Sequence, residues 1–221
     1  MEREKEMIPN SSLSRSAIFA SIRENLAASK PFDADHYEPG VGPSTTATDV
    51  DVLGVFRESL ELVGAKCSFV ENENEAANRL RAIVSNKSAT EVIVSDSELV
   101  HRIVSEAGID AIADASRDEL FDSHIGITSA QWAIAETGTL VLESGAEQHR
   151  LISLVPPVHV CLLNANSIRQ SMAEILELVE VDTNPAITFI TGASRTSDIE
   201  LTLAIGVHGP GELYVIVIKD Q

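Results

Sequence analysis

NEAANRLRAIVSNKSATEVIVS, residues 74–95, decides the fold class. Over Asn74–Ser85 the apolar residues Ala77, Leu80, Ile83 and Val84 recur at steps of three and four, the spacing of one helical face. Glu91–Ser95 then holds a short continuous apolar run, the composition of a strand buried on both faces. The same unit repeats on either side. Before it, Asp49–Leu62 carries Val52, Val55, Phe56, Leu60 and Val63 along one side, Gly64 ends the helix, and Lys66–Val70 forms a short strand. After it, Ser97–Ala107 is a helix and Gly108 turns the chain towards Ala111–Ala113. Helices alternating with buried strands predict an α/β fold with a mixed, mostly parallel sheet and flanking helices.

The N-terminal side differs. Ile18, Ile22 and Leu26, with Phe19 beside them, give Ser14–Ser29 one apolar stripe. Pro31–Thr48 contains Pro31, Pro39, Gly40, Gly42 and Pro43 without periodicity and reads as a linker. The expected organisation is therefore an N-terminal helix and flexible linker over 1–48 and one α/β domain over 49–221. The helix is free to pack on its own domain, on a second copy in a homo-oligomer, or on another partner.

The second half predicts β-capable runs at Gly126–Ala135 and Thr139–Glu143 and an apolar strand at Val158–Leu163. An amphipathic helix at Ile168–Val179 and a strand at Ile187–Ile190 follow. The last elements expected are a helix at Ser197–Ile205 and a strand at Leu213–Ile218.

Charge narrows the partners. Thirty-four acidic against 16 basic side chains give a formal charge of −18, which repels a phosphate backbone and an anionic membrane surface, so no nucleic-acid partner is expected. No run approaches the length of about 20 apolar residues that a spanning helix needs, and no apolar core follows the charged N-terminus, so no membrane insertion and a cytoplasmic location are expected. Cys67 and Cys161 stand alone in apolar surroundings, as small core residues do, and no histidine pair has ligand spacing, so no metal site is expected.

Three glycine-containing turns hold the chemistry. In the first, Glu136 lies beside Thr137, Gly138 and Thr139, at the end of a strand. There it suits a nucleophile, a general base or a hydroxyl acceptor, and equally a turn glutamate that accepts backbone N–H bonds. In the second, Gly192, Ser194, Arg195 and Thr196 precede the helix expected from Ser197. Free N–H groups at its start and the Arg195 fork suit a phosphate or carboxylate. Ser197-x-x-Glu200 is also a capping box, and Asp198 complements the helix dipole without any ligand. In the third, His208 sits between Gly206 and Gly211 as a proton shuttle or a hydrogen-bonding turn residue. Gln148, His149, Arg150 and His159 are further polar candidates beside the same strands.

AIAETGTLVLESG (133–145), QHRLISLVPPVHVCLL (148–163) and TGASRTSDIELTLAIGVHGPGELYVIVI (191–218), in this order, resemble the LUD-domain proteins of the lactate-utilisation protein C type. The resemblance covers about Asp122–Ile218 closely and the helical first half only in layout. It implies a fold similar to the group of ribose-phosphate isomerase, glucosamine-phosphate deaminase and the CoA transferases. It also implies a part in oxidising L-lactate to pyruvate, alongside partners that carry iron–sulfur clusters. Two scattered cysteines cannot furnish a four-cysteine cluster site, so no cofactor is expected in this chain and electron transfer falls to the partners. The expected role is an accessory subunit that binds a small carboxylate or phosphorylated metabolite through Thr137, Gly138, Thr139, Arg150, Gly192, Ser194, Arg195, Thr196, Asp198 and Glu200. By analogy with the Glu-x-Gly turn of CoA transferases, the alternative is a free-standing enzyme acting on an acyl-CoA or a sugar phosphate, with Glu136 as nucleophile and His208 as proton carrier. A binding module without turnover is the third reading.

Overall fold

The computed structural model describes residues 11–28, 51–144, 149–179, 186–197, 203–206 and 208–219. The chain divides into two units, Met1–Ala47 and Thr48–Gln221. The first contributes helix α1 (Ser11–Ala28), on which Ile18, Phe19 and Ile22 are exposed. The linker expected over Pro31–Thr48 lies outside the described residues.

In the second unit the helices begin where polar side chains cap them. Asp51 accepts the Gly54 N–H at 3.0 Å and starts α2 (Val52–Leu62), which Gly64 follows in a left-handed turn before β1 (Lys66–Val70). Asn72 caps α3 (Glu73–Lys87), which leads to β2 (Val92–Val94). Next come α4 (Glu98–Ala107), closed by Gly108, and α5 (Arg117–Asp122), opened by a reciprocal capping box between Ser116 and Glu119. The second half contains β3 (Ile125–Ser129), β4 (Trp132–Ile134), β5 (Thr139–Glu143), α6 (His149–Ile152), β6 (Val158–Asn164) and β7 (Ile168–Arg169). It ends with α7 (Met172–Leu178), β8 (Ile187–Ile190), β9 (Arg195–Ser197), β10 (Leu203–Ile205) and β11 (Glu212–Ile218).

The central sheet runs in the order β1-β11-β6-β3-β2 with every pair parallel. Its strands alternate between two cores, as the two-residue period of a strand requires. On β6, Val158, Val160 and Leu162 join Leu80, Ile83, Val100 and Ile103 of α3 and α4. Cys161 and Leu163 join Phe56 and Leu60 of α2 and Leu140 and Leu142 of β5 on the opposite face. A second sheet, β7-β4-β5-β8, therefore lies with α2 against the central one. Ile134 and Val141, on its other face, pack on Ile175 of α7. The fold is α/β, with a mostly parallel sheet flanked by helices.

Four expectations need correction. The run Gly126–Ala135 is two strands in different sheets, because β3 ends at Ser129 and β4 turns to pair antiparallel with β5. The helix expected over Ile168–Val179 starts only at Met172, since Ile168 and Arg169 pair with Ala133 and Ile134. The helix expected over Ser197–Ile205 is replaced by the antiparallel pair β9 and β10, with Ile205 opposite Arg195. Helix α5 was not anticipated.

Candidate functional site

The turn Ala135–Thr139 joins β4 to β5, and its interior contacts are structural. Gly138 has φ +62°, and a Cβ there would lie 2.5 Å from the Leu60 nitrogen and 2.6 Å from the Ser59 carbonyl carbon. The glycine admits the backbone of α2, where the sequence suggested approach by a ligand. Glu136 is exposed; its carboxylate accepts the Met172 N–H at 3.0 Å at the start of α7. That is the geometry of a turn glutamate accepting a backbone bond. The Oγ1 atoms of Thr137 and Thr139 are 2.7 Å apart, and Thr139 continues at 2.7 Å to Thr191, so a chain of hydroxyls links this turn to the second one.

The second and third turns are fastened to each other. The Ser194 N–H donates to the Pro210 carbonyl at 2.8 Å, and the Gly206 N–H donates back to the Ser194 carbonyl at 3.0 Å. Gly192, at φ +79°, packs on the carbonyl of Val63 just past α2. Between these turns, the edge strand β8 and the first residues of β6 and β11 lies a cavity of about 300 Å³. Thr191, Ser194, Arg195, His208 and His159 line it. Glu136 does not.

His159 is almost fully buried, with Nε2 2.8 Å from Thr128 Oγ1 on the neighbouring strand β3. This threonine was missed in the sequence because its pairing joins residues 31 positions apart. Arg195 and His208 are exposed at the cavity wall, and the Arg195 Nη2 atom lies 2.5 Å from where a Cβ on Gly64 would stand.

Ser197 ends β9 and Leu203–Ile205 form β10, so the helix expected over Ser197–Ile205, whose N-terminus was to hold the anion, is not formed. Thr196 is a backbone partner of Ala204 in the hairpin. Asp198, Glu200 and Gln148 lie outside the described residues. Arg150 is not part of this cavity. It lines a separate one of about 260 Å³ beside α6.

Charge distinguishes the two cavities. No aspartate or glutamate is among the described residues that line either one, in a chain carrying 34 of them. Arginines elsewhere in the α/β unit are engaged: Arg57 over the Phe69 ring, Arg79 on Ser68, Arg81 on the Ala107 carbonyl, Arg102 on Glu73, Arg117 over Phe121 and Arg169 on the Asn166 carbonyl. Among the described residues, no hydrogen-bond, ion-pair or ring partner holds the guanidinium of Arg150 or Arg195. A guanidinium left free in a cavity without carboxylates is a fork for a planar anion. His208 lines the same cavity as Arg195.

The cysteines are poor ligand donors. Burial pushes the Cys161 thiol up to about 12 and the Cys67 thiol up to about 11, so both stay protonated at neutral pH. Among the described residues no group of His, Cys, Asp and Glu could hold a metal ion, and no helix is long and apolar enough to cross a membrane.

Comparison with known proteins gives a consistent picture. The model of the LUD domain matches residues 53–218. An uncharacterized protein of Neisseria meningitidis serogroup B is 35% identical over 170 residues, covering 75% of this chain and 66% of that protein. Lactate utilization protein C of Deinococcus radiodurans is 30% identical over 217 residues, 96% of this chain and 98% of that protein. The crystal structure of a DUF162 family protein from Deinococcus radiodurans superposes with a TM-score of 0.59 at 27% identity, covering 76% of this chain and 96% of that one.

Proposed function

This chain belongs to the LUD-domain family, of the lactate utilization protein C type, and on that premise we propose that it serves lactate utilization as a subunit without a redox centre of its own. It binds a small anionic metabolite of the 2-hydroxy or 2-oxo acid class in the cavity between the second and third turns. Arg195 takes the carboxylate, the hydroxyls of Ser194 and Thr191 take the substituent on the neighbouring carbon, and His208 faces the same space. Electron transfer belongs to iron–sulfur partners, since two protonated thiols on separate strands do not make a cluster site.

The observation that carries this reading is the unengaged Arg195 guanidinium in a cavity with no carboxylate among its described lining residues. No comparable observation favours Glu136 as a nucleophile, because its carboxylate is spent on the α7 backbone outside the cavity.

Thermal unfolding with L-lactate, pyruvate and phosphate tests the site. A ligand bound only by the native state at 100 times its Kd adds about 2.7 kcal/mol of stability. Hydrogen bonds to a charged group contribute about 1.5–3 kcal/mol, so Arg195→Gln should weaken binding by roughly one to two orders of magnitude. Absence of any shift in the wild type at tens of millimolar ligand, or the same shift in Arg195→Gln, refutes it. In cells, deletion of this chain should abolish growth on lactate, and unimpaired growth would remove the physiological half of the proposal.

A further inference from the structure

Arg150, the other arginine whose guanidinium has no partner among the described residues, stands in a cavity of different character. Beside it the described residues of the wall offer one other polar side chain, Ser144; the rest are alanine, leucine and isoleucine, including Leu120 and Ile152. The Ser144 hydroxyl is buried and has no hydrogen-bond partner among the described residues, and a buried polar atom in that condition calls for an explanation. Leu120 and Ile152 are themselves buried against Ile93 of β2, so the apolar wall is part of the core and already formed.

We propose that this cavity is a second binding site, for a small carboxylic acid with a short hydrocarbon tail. The carboxylate accepts from the Arg150 fork and from the Ser144 hydroxyl, which satisfies both, and the tail lies along Leu120 and Ile152. Its volume, about 260 Å³, corresponds to roughly nine waters of liquid and so to a ligand of several heavy atoms. One guanidinium and one hydroxyl on an apolar wall suit a monoanion. A hydrophilic dianion such as phosphate would leave most of its oxygens facing carbon, at a cost in desolvation.

The site is distinct from the first cavity. Ser153 and Leu154 line that one, whereas Arg150, Leu151 and Ile152 line this one, so the single turn of α6 serves this cavity and the residues just after it serve the other. Gly126 of β3 anchors this segment, since a Cβ there would run into the Ile152 carbonyl oxygen.

Calorimetric titration with acetate, butanoate, hexanoate and inorganic phosphate tests the proposal, in the full chain carrying Arg195→Gln so that the first cavity does not contribute. Affinity should rise from acetate to butanoate by about fourfold per methylene buried, and phosphate should bind more weakly than butanoate. In that background Arg150→Gln should loosen butanoate at least tenfold and Ser144→Ala severalfold. The failure of this site is therefore separable from the failure of the first. Ala115→Leu narrows the cavity without touching the fork and should weaken hexanoate more than acetate, which keeps the test decisive if Arg150→Gln does not fold. A flat series, phosphate binding as well as butanoate, undiminished butanoate binding after Arg150→Gln in the same background, or unchanged discrimination by Ala115→Leu overturns the proposal.

Discussion

Gly138→Ala isolates what the first turn does. Gly138 and Gly108 share φ +62°, so an alanine at either meets the same left-handed backbone penalty of about 1–2 kcal/mol. Their surroundings differ. Around Gly108 nothing lies within 4 Å of the added carbon, while at Gly138 it meets three backbone atoms of Ser59 and Leu60 at 2.5–2.7 Å. Ordinary contact begins at 3.4 Å, so α2 must retreat by close to 1 Å. That retreat loosens Phe56 and Leu60, both fully buried, and overpacking of this kind costs about 1–3 kcal/mol. Gly108→Ala should therefore cost about 1–2 kcal/mol and Gly138→Ala about 2–5 kcal/mol. Urea unfolding at constant m-value measures both, and for a domain of this size each kcal/mol also lowers Tm by about 2–4 °C. Equal losses at the two positions would refute the assignment of Gly138 to helix docking. A loss of ligand binding without loss of stability would return the glycine to the ligand.

Two further outcomes follow from the charged and thiol groups. Hydrogen bonds from Lys66 and Lys87, with a lesser one from Tyr214, hold the Glu212 carboxyl down at about 2. Its folded value is depressed, so its stabilisation is complete above the unfolded value near 4.5 and is lost as pH falls towards 2; Glu212→Gln should flatten the acid limb of stability in that window, and an unchanged limb would refute the coupling. Cys161, fully buried, should resist a thiol reagent at pH 8 in the native protein, and Cys67 should react slowly; both should react at once in denaturant. Rapid native labelling of Cys161 would contradict its placement on β6.

The first half of the α/β unit was legible because its signals are local. Residues 52–107 carry apolar faces at helical spacing between short buried strands, and β1 coincides with the expected Lys66–Val70. The second half depends on pairings between distant residues. Ser-x-x-Glu opens a true helix at Ser116–Glu119 and again at Ser171–Glu174. At Ser197–Glu200 the same spelling starts on the last residue of a strand, because Arg195–Ser197 pair with Leu203–Ile205. No window of sequence distinguishes these cases.

The site was legible in the same uneven way. Ser194, Arg195 and His208 do line one cavity, brought there by the backbone bonds between the two turns. Arg150 faces another, and the burial of His159 against Thr128 needed the sheet order to be seen.

The docking of Gly138 and Gly192 on the end of α2 bears on how function can be transferred between relatives. A motif held in place by a neighbouring helix is inherited with the architecture, whatever the domain goes on to bind. Two relatives that share Glu-Thr-Gly-Thr need share nothing more than the way α2 seats against the second sheet. Ligand preference can diverge beneath an unchanged signature, so assignment of relatives should weigh what stands at the positions of Arg150, Ser194, Arg195 and His208 before the turn that is easiest to recognise.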